Sequence, residues 1–127
     1  MENVRVLLVD DSLETLDTLK IQLKFIPSID HVFQVSTKTD AWNFLLQQPN
    51  EVHIVFIDIH LGNENGLDLC ASLAKALPDV YRVVCSIDAD PITKNDAYEV
   101  GANDFIEKPI AMSELRRILE NYEQVRF

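Results

Sequence analysis

An apolar run that stops on an acid constrains this chain more than any other feature. Val52, Ile54, Val55, Phe56 and Ile57 lead into Asp58, and a glycine-bearing loop, Leu61-Gly62-Asn63-Glu64-Asn65-Gly66, follows. A nearly continuous apolar run reads as a strand covered on both faces, the usual state of a parallel sheet inside an α/β protein. A carboxylate at the end of such a strand is costly unless something uses it. In open α/β sheets, ligands and chemistry sit outside the carboxyl ends of the strands.

The rest of the chain alternates in the same way. Residues 4–9 form a first strand, apolar but for Arg5, ending in Asp10-Asp11-Ser12. Ser12 or Asp11 caps a first helix, which carries Leu13, Leu16, Leu19, Leu23 and Ile26 at helical spacing and stops at Pro27. A short second strand covers 31–35. Thr37 with Asp40 makes an acidic capping box. It opens a second helix that buries Ala41, Phe44 and Leu45, leaves Trp42 half exposed and ends near Pro49. The third strand is 52–58. The third helix points Leu67, Cys70, Leu73, Ala74 and Leu77 inward, and Pro78-Asp79 turns the chain. A fourth strand, 81–86, ends in Ser86. Asp90-Pro91 caps a short polar helix over 91–99, closed by Gly101. Residues 103–107 form a fifth strand leading into Lys108-Pro109. The last helix carries Leu115, Ile118, Leu119 and Tyr122 at i, i+3, i+4, i+7. Ala111 offers no polar cap there, so its first turn is expected to fray.

Five strands alternating with five helices predict a doubly wound parallel sheet with right-handed crossovers. At 127 residues, one domain over 1–127 is expected, with no linker or repeat. Lys and Arg number 11 against 21 Asp and Glu, a net charge of −10. That balance argues against nucleic-acid binding by this chain alone and against docking on an anionic membrane. No apolar run approaches the ~20 residues of a spanning helix, and no signal peptide is visible. Cys70 and Cys85 lie in apolar surroundings without metal-ligand spacing, which reads as buried free thiols in a reducing cytoplasm.

The parallel sheet brings polar strand ends to one edge. Asp10 and Asp11, Asp58, Ser86 and Lys108 meet there as three carboxylates, a hydroxyl and an ammonium. Each alone has an ordinary explanation, as a cap, a strand end or a snorkelling lysine. Together they repel unless a proton or a cation holds them, and oxygen donors with retained waters suit Mg²⁺ (or Mn²⁺). Asp58 is the most central carboxylate and can attack phosphorus, while the metal, Lys108 and Ser86 neutralise the phosphoryl oxygens. His31 and His53 sit at the opposite edge and take no part. Asp17, Asp30, Asp79 and Asp96 are assigned no role.

These residues carry a resemblance over the full length of the chain. Val9-Asp10-Asp11, Phe56-Ile57-Asp58-Ile59-His60-Leu61-Gly62 with Gly66, the hydroxyl of Ser86, and the run from Gly101 to Pro109 resemble the receiver domains of two-component response regulators. The resemblance implies a flavodoxin-like (βα)5 fold of strand order 2-1-3-4-5. It implies that Asp58 accepts a phosphoryl group from a sensor histidine kinase or a histidine phosphotransfer protein. It implies Asp11 as a direct Mg²⁺ ligand, Asp10 as one acting largely through water, and the backbone carbonyl of His60 as another. Lys108 pairs with the phosphoryl group, and the Lys108-Pro109 bond is cis. Ser86 and Phe105 form the switch pair that remodels the surface of the fourth helix, fifth strand and fifth helix. A homodimer through that surface fits the family, and the chain is a signalling switch rather than a turnover enzyme.

Two departures stand out. Ile87 follows Ser86 where the family usually has Ala or Gly, and its branched side chain would shield the phosphoryl group from water. His60 and Asp88, two residues past Asp58 and Ser86, occupy positions that tune phosphoryl lifetime, and they would pair across the cleft mouth. An aspartyl phosphohydrolase is disfavoured because it would place an acid at position 60. A receiver-like module that binds without phosphorylation keeps the fold but leaves the full motif set unexplained. The opening Met1 suits an N-terminal position in a longer regulator as well as a stand-alone chain.

Overall fold

The strands form where apolar residues alternate between two faces that both need cover. The structure, a computed structural model, describes residues 3–125. Its main sheet contains β1 (Val4–Val9), β2 (Ile29–Val35), β3 (Ile54–Asp58), β4 (Tyr81–Ser86) and β5 (Asp104–Glu107). All neighbours are parallel and the order is β2-β1-β3-β4-β5. This is the flavodoxin-like 2-1-3-4-5 arrangement expected from the sequence. Along β1, Val4, Val6 and Leu8 face one layer while Leu7 and Val9 face the other.

The helices are α1 (Leu13–Lys24), α2 (Lys38–Gln47), α3 (Gly66–Ala76), α4 (Pro91–Glu99) and α5 (Met112–Val125). α1 and α5 cover one face through Leu16, Leu19, Leu23, Leu115, Ile118 and Leu119. The other three cover the opposite face through residues such as Ala41, Leu45, Leu69, Leu73 and Ala97. Ser12 is the N-cap of α1, with its side chain accepting from the Thr15 amide. Thr37 and Asp90 cap α2 and α4 in the same way. Such caps each contribute about 1 kcal/mol and fix where a helix starts.

Some local expectations are revised. β2 begins at Ile29, two residues early, while β3 begins at Ile54 and β5 at Asp104. α1 ends at Lys24, so Ile26 is buried just beyond the helix rather than on it. Leu13 is 72% exposed, because the first residue of α1 stands clear of the sheet. Leu69 is buried deeper than Leu67, Ala74 or Leu77, which are half-buried, so the inner face of α3 centres on Leu69, Cys70 and Leu73. Trp42 is half-exposed as expected, and Phe44 is half-buried with its ring 4.8 Å from that of Phe33.

The loop after β3 is more ordered than its composition predicts. His60–Leu61 and Glu64–Asn65 pair antiparallel, turning at Gly62 and Asn63 with Gly62 at φ +61°. Glu64 anchors this hairpin by accepting from the Lys38 amide at the start of α2. Gly66 then opens α3 directly against β3. A Cβ there would overlap the Asp58 carbonyl oxygen and lie 2.9 Å from the Ile57 side chain. Only glycine lets α3 begin this close to the strand end that carries Asp58.

Candidate functional site at the carboxyl edge of the sheet

Each polar group at this edge is placed by backbone it cannot leave. Asp10 follows β1, its amide donating to the Val35 carbonyl. Its Oδ1 accepts from the Ser12 amide at 2.9 Å, and its Oδ2 lies 2.8 Å from Lys108 Nζ. Asp58 is the last residue of β3. Its Oδ1 accepts from the His60 amide at 3.3 Å, and its Oδ2 lies 3.2 Å from the same Lys108 Nζ. Lys108 is held by its own amide, which donates to the Ser86 carbonyl. Its peptide bond to Pro109 is cis. Asp11 is exposed at the mouth beside Gly62, where a Cβ would make only ordinary contact, 3.6 Å from Asp11 Oδ2.

The result is three carboxylates with one oxygen each within 4.8 Å of one another. Fully ionised, three carboxylates and one ammonium carry −2. The floor beneath Asp10 and Asp58 is built from Leu8, Phe56, Cys85 and other apolar side chains, around a void of about 10 Å³. That is at the margin of what one water needs. Burial therefore raises the Asp58 carboxyl above its ordinary value; Lys108 opposes the rise and the Asp10 charge adds to it. Burial alone would lower Lys108. The hydrogen bond to Asp10 and the charges of Asp58 and Asp10 outweigh it, so the ammonium is held more firmly than usual. The two directions agree: Lys108 sees two anions, whereas Asp58 sees one cation, one anion and a dry floor.

The chemistry of this donor set fits a hard divalent cation. Opposite ligands of Mg²⁺ lie about 4 Å apart, close to the spacing already present, and the exposed side of Asp11 leaves room for waters. A +2 ion would cancel the −2 of the cluster.

Ser86 is buried at the end of β4, 1% exposed, and its Oγ accepts from the Asp88 amide at 3.0 Å, leaving its own proton to donate. Phe105 is 5% exposed, in the core under α4, with Lys94 Nζ 5.9 Å from its ring centroid. Ile87 is 68% exposed. His60 Nε2 and Asp88 Oδ2 stand 3.9 Å apart between the loops after β3 and β4, both side chains mostly in solvent. His53 Nδ1 accepts from the Arg5 amide, and His31 packs at a tilt against Phe33, so neither approaches the cluster. Cys70 and Cys85 are both free and buried, and burial pushes the Cys70 thiol up to about 11.

The family model of the response regulator receiver domain matches residues 6–120. The chain belongs to that family. It is 31% identical over 123 residues to AlgB, an alginate biosynthesis transcriptional regulatory protein of Pseudomonas syringae pv. tomato, covering 96% of this chain and 26% of that protein. It is 26% identical to the transcriptional regulatory protein DcuR of Escherichia coli, covering 95% of this chain and 51% of DcuR. The chain thus spans between a quarter and half of these relatives. Among solved structures, a response regulator from Thermotoga maritima superposes with a TM-score of 0.83 at 25% identity, over 95% of this chain and 98% of the other.

Two features of this receiver domain escaped the sequence reading. One is the hairpin at 60–65, whose two-residue strands are too short to show alternation. The other is a polar cluster around Asp104 on β5, where Arg117, Asn121 and Tyr81 converge from α5 and β4. A lone Asp between Asn103 and Phe105 gives no signal of it.

Proposed function

We propose that this receiver domain is a phosphoaccepting switch, with Asp58 as the acceptor. The observation that carries the reading is the shared lysine. Lys108 bridges Asp10 and Asp58 at one dry strand edge, so a cation already stands where the charge of an incoming phosphoryl group would gather.

The Asp58 carboxylate attacks the phosphorus of a phosphohistidine on a kinase or phosphotransfer protein. The O–P bond forms, the N–P bond breaks, and the electron pair leaves with the imidazole. Lys108 pairs with one phosphoryl oxygen, and the Ser86 hydroxyl donates to another. Asp10, Asp11, Asp58 and the His60 carbonyl would hold Mg²⁺ or Mn²⁺, which would neutralise the remaining phosphoryl charge when bound. Ser86 and Phe105 then form the switch pair that alters the α4–β5–α5 surface. Output, whether through a further domain, a separate partner or a homodimer on that surface, follows from there. Residues 1–127 act as one unit, in the cytoplasm. No helix among the described residues is long and apolar enough to cross a membrane.

The test is intact-mass measurement after incubation with a small phosphodonor and Mg²⁺. One phosphoryl group is expected on the wild-type chain, and none on Asp58→Ala or without Mg²⁺. An unmodified wild-type chain that also ignores beryllofluoride would favour the module that binds without phosphorylation. In the same assay Ile87→Ala should shorten the life of the adduct several-fold, because the exposed branched side chain beside Ser86 restricts water. An unchanged decay rate removes that role. His60→Ala is read the same way for the pair with Asp88.

A further inference from the structure

Among the described residues β5 is an edge strand, paired only with β4, so every second residue along it has an amide and a carbonyl with no strand to meet. At Phe105 both groups are taken by one cluster. The Phe105 amide donates to Asp104 Oδ1 at 2.9 Å, and its carbonyl accepts from Arg117 Nη2 at 3.2 Å. Arg117 Nη1 also donates to Asp104 Oδ1 at 3.0 Å, so amide, carboxylate, guanidinium and carbonyl close a ring around Phe105. Glu114 accepts from Arg117 Nε and Nη2, at 3.2 and 3.1 Å, and fixes the fork to the first turns of α5. Asn121 and the Tyr81 hydroxyl complete Asp104 at 2.9 and 3.3 Å without touching Phe105.

We propose that Arg117 is the positioning residue that carries the state of Phe105 into α5. Its rigid fork holds the Phe105 carbonyl, Asp104 and Glu114 at once, so β5 cannot shift at Phe105 without dragging the start of α5. The proposal rests on the phosphoacceptor reading and adds a route: the signal leaves through the Phe105 backbone, independently of where its ring points. Lysine cannot replace this arginine, because a point charge reaches Asp104 but does not span the three acceptors in one plane.

The experiment is amide hydrogen exchange read by mass on the whole chain, with and without the phosphoryl adduct at Asp58, the adduct being counted by intact mass in the same sample. In the wild type, modification should change exchange in peptides covering 103–107 and in those covering 112–120. In Arg117→Lys, which keeps the charge beside Asp104, the adduct should form equally and the change at 103–107 should persist. The change at 112–120 should fall at least five-fold. Asn121→Leu, which removes a partner of Asp104 but leaves the Phe105 ring of contacts intact, should respond like the wild type. An undiminished α5 response in Arg117→Lys overturns the proposal. So does an equal loss in both variants, which would make the whole cluster a structural plug, or a modified wild type with no α5 response. A wild type that accepts no phosphoryl group fails earlier, on the adduct count, and removes the phosphoacceptor reading together with the route.

Discussion

Asp58 and Asp104 are carboxylates of nearly equal burial, 7% and 3% exposed, placed on β3 and β5 of one sheet with β4 between them. Their surroundings differ completely. Asp104 receives four donors: the Phe105 amide, Arg117, Asn121 and Tyr81. Asp58 receives one long backbone hydrogen bond and half of a lysine that it shares with Asp10. A buried charge whose lone pairs are filled behaves as structure, and one that is left short behaves as a binding site. The first cluster is complete within the chain. The second is two positive charges short of neutrality and open at Asp11, so it has room for a cation from outside.

The comparison predicts opposite signs for the same substitution. Asp104→Asn keeps the shape but turns an acceptor oxygen into an NH₂ group facing donors. It should cost about 3 kcal/mol, the usual loss when a buried ionic hydrogen-bond network loses one partner. Asp58→Asn should instead stabilise the metal-free domain by about 1 kcal/mol, as removal of functional strain commonly does. It relieves repulsion with Asp10 while Lys108 keeps its 2.8 Å partner. Urea unfolding of both variants in chelator-treated buffer measures the contrast. Losses of similar size in the two would show that the clusters are equally structural.

Supplying a divalent cation sharpens the contrast. Mg²⁺ at ten times its dissociation constant should stabilise the wild type by about 1.4 kcal/mol through mass action. The gain should vanish in Asp11→Ala, whose exposed side chain contributes nothing to the core, and should survive in Arg117→Lys. A thermal shift that is equal in Asp11→Ala would place the ion elsewhere.

Much of the cluster around Asp58 was legible because each member ends a strand or opens the loop that follows. Asp10, Asp58, Ser86 and Lys108 are punctuation marks after apolar runs, and a parallel sheet sends all such marks to one edge. Nothing comparable announces the cluster around Asp104. Tyr81, Asp104, Arg117 and Asn121 meet only because β4 and β5 pair with Val83 opposite Asp104 and because α5 crosses back over them. That depends on register and helix rotation, which local periodicity does not encode. The same limit explains Leu13 and Leu69: spacing identified the helices, but the sheet beneath decided which side of each stripe was covered.

The smallest expected effect follows from the raised carboxyl of Asp58. Burial, helped by Asp10 and opposed by Lys108, lifts it above its ordinary 3.8. Between 3.8 and the raised value, the folded domain holds a proton that the unfolded chain has already lost. The unfolded state then binds fewer protons, so stability contributed by this group is present at low pH and falls as pH rises through that window. Other carboxylates act on the same curve, so the measurement is a difference: stability against pH for the wild type minus that for Asp58→Asn, both free of metal. The difference should decline from pH 3.8 upward and level off once Asp58 is ionised in both states. Adding Mg²⁺ should reverse the slope, because the ion takes the place of the proton and prefers the ionised carboxylate. A flat difference without metal would mean that Lys108 satisfies Asp58 as fully as four donors satisfy Asp104, and the distinction between the two clusters would lose its electrostatic basis.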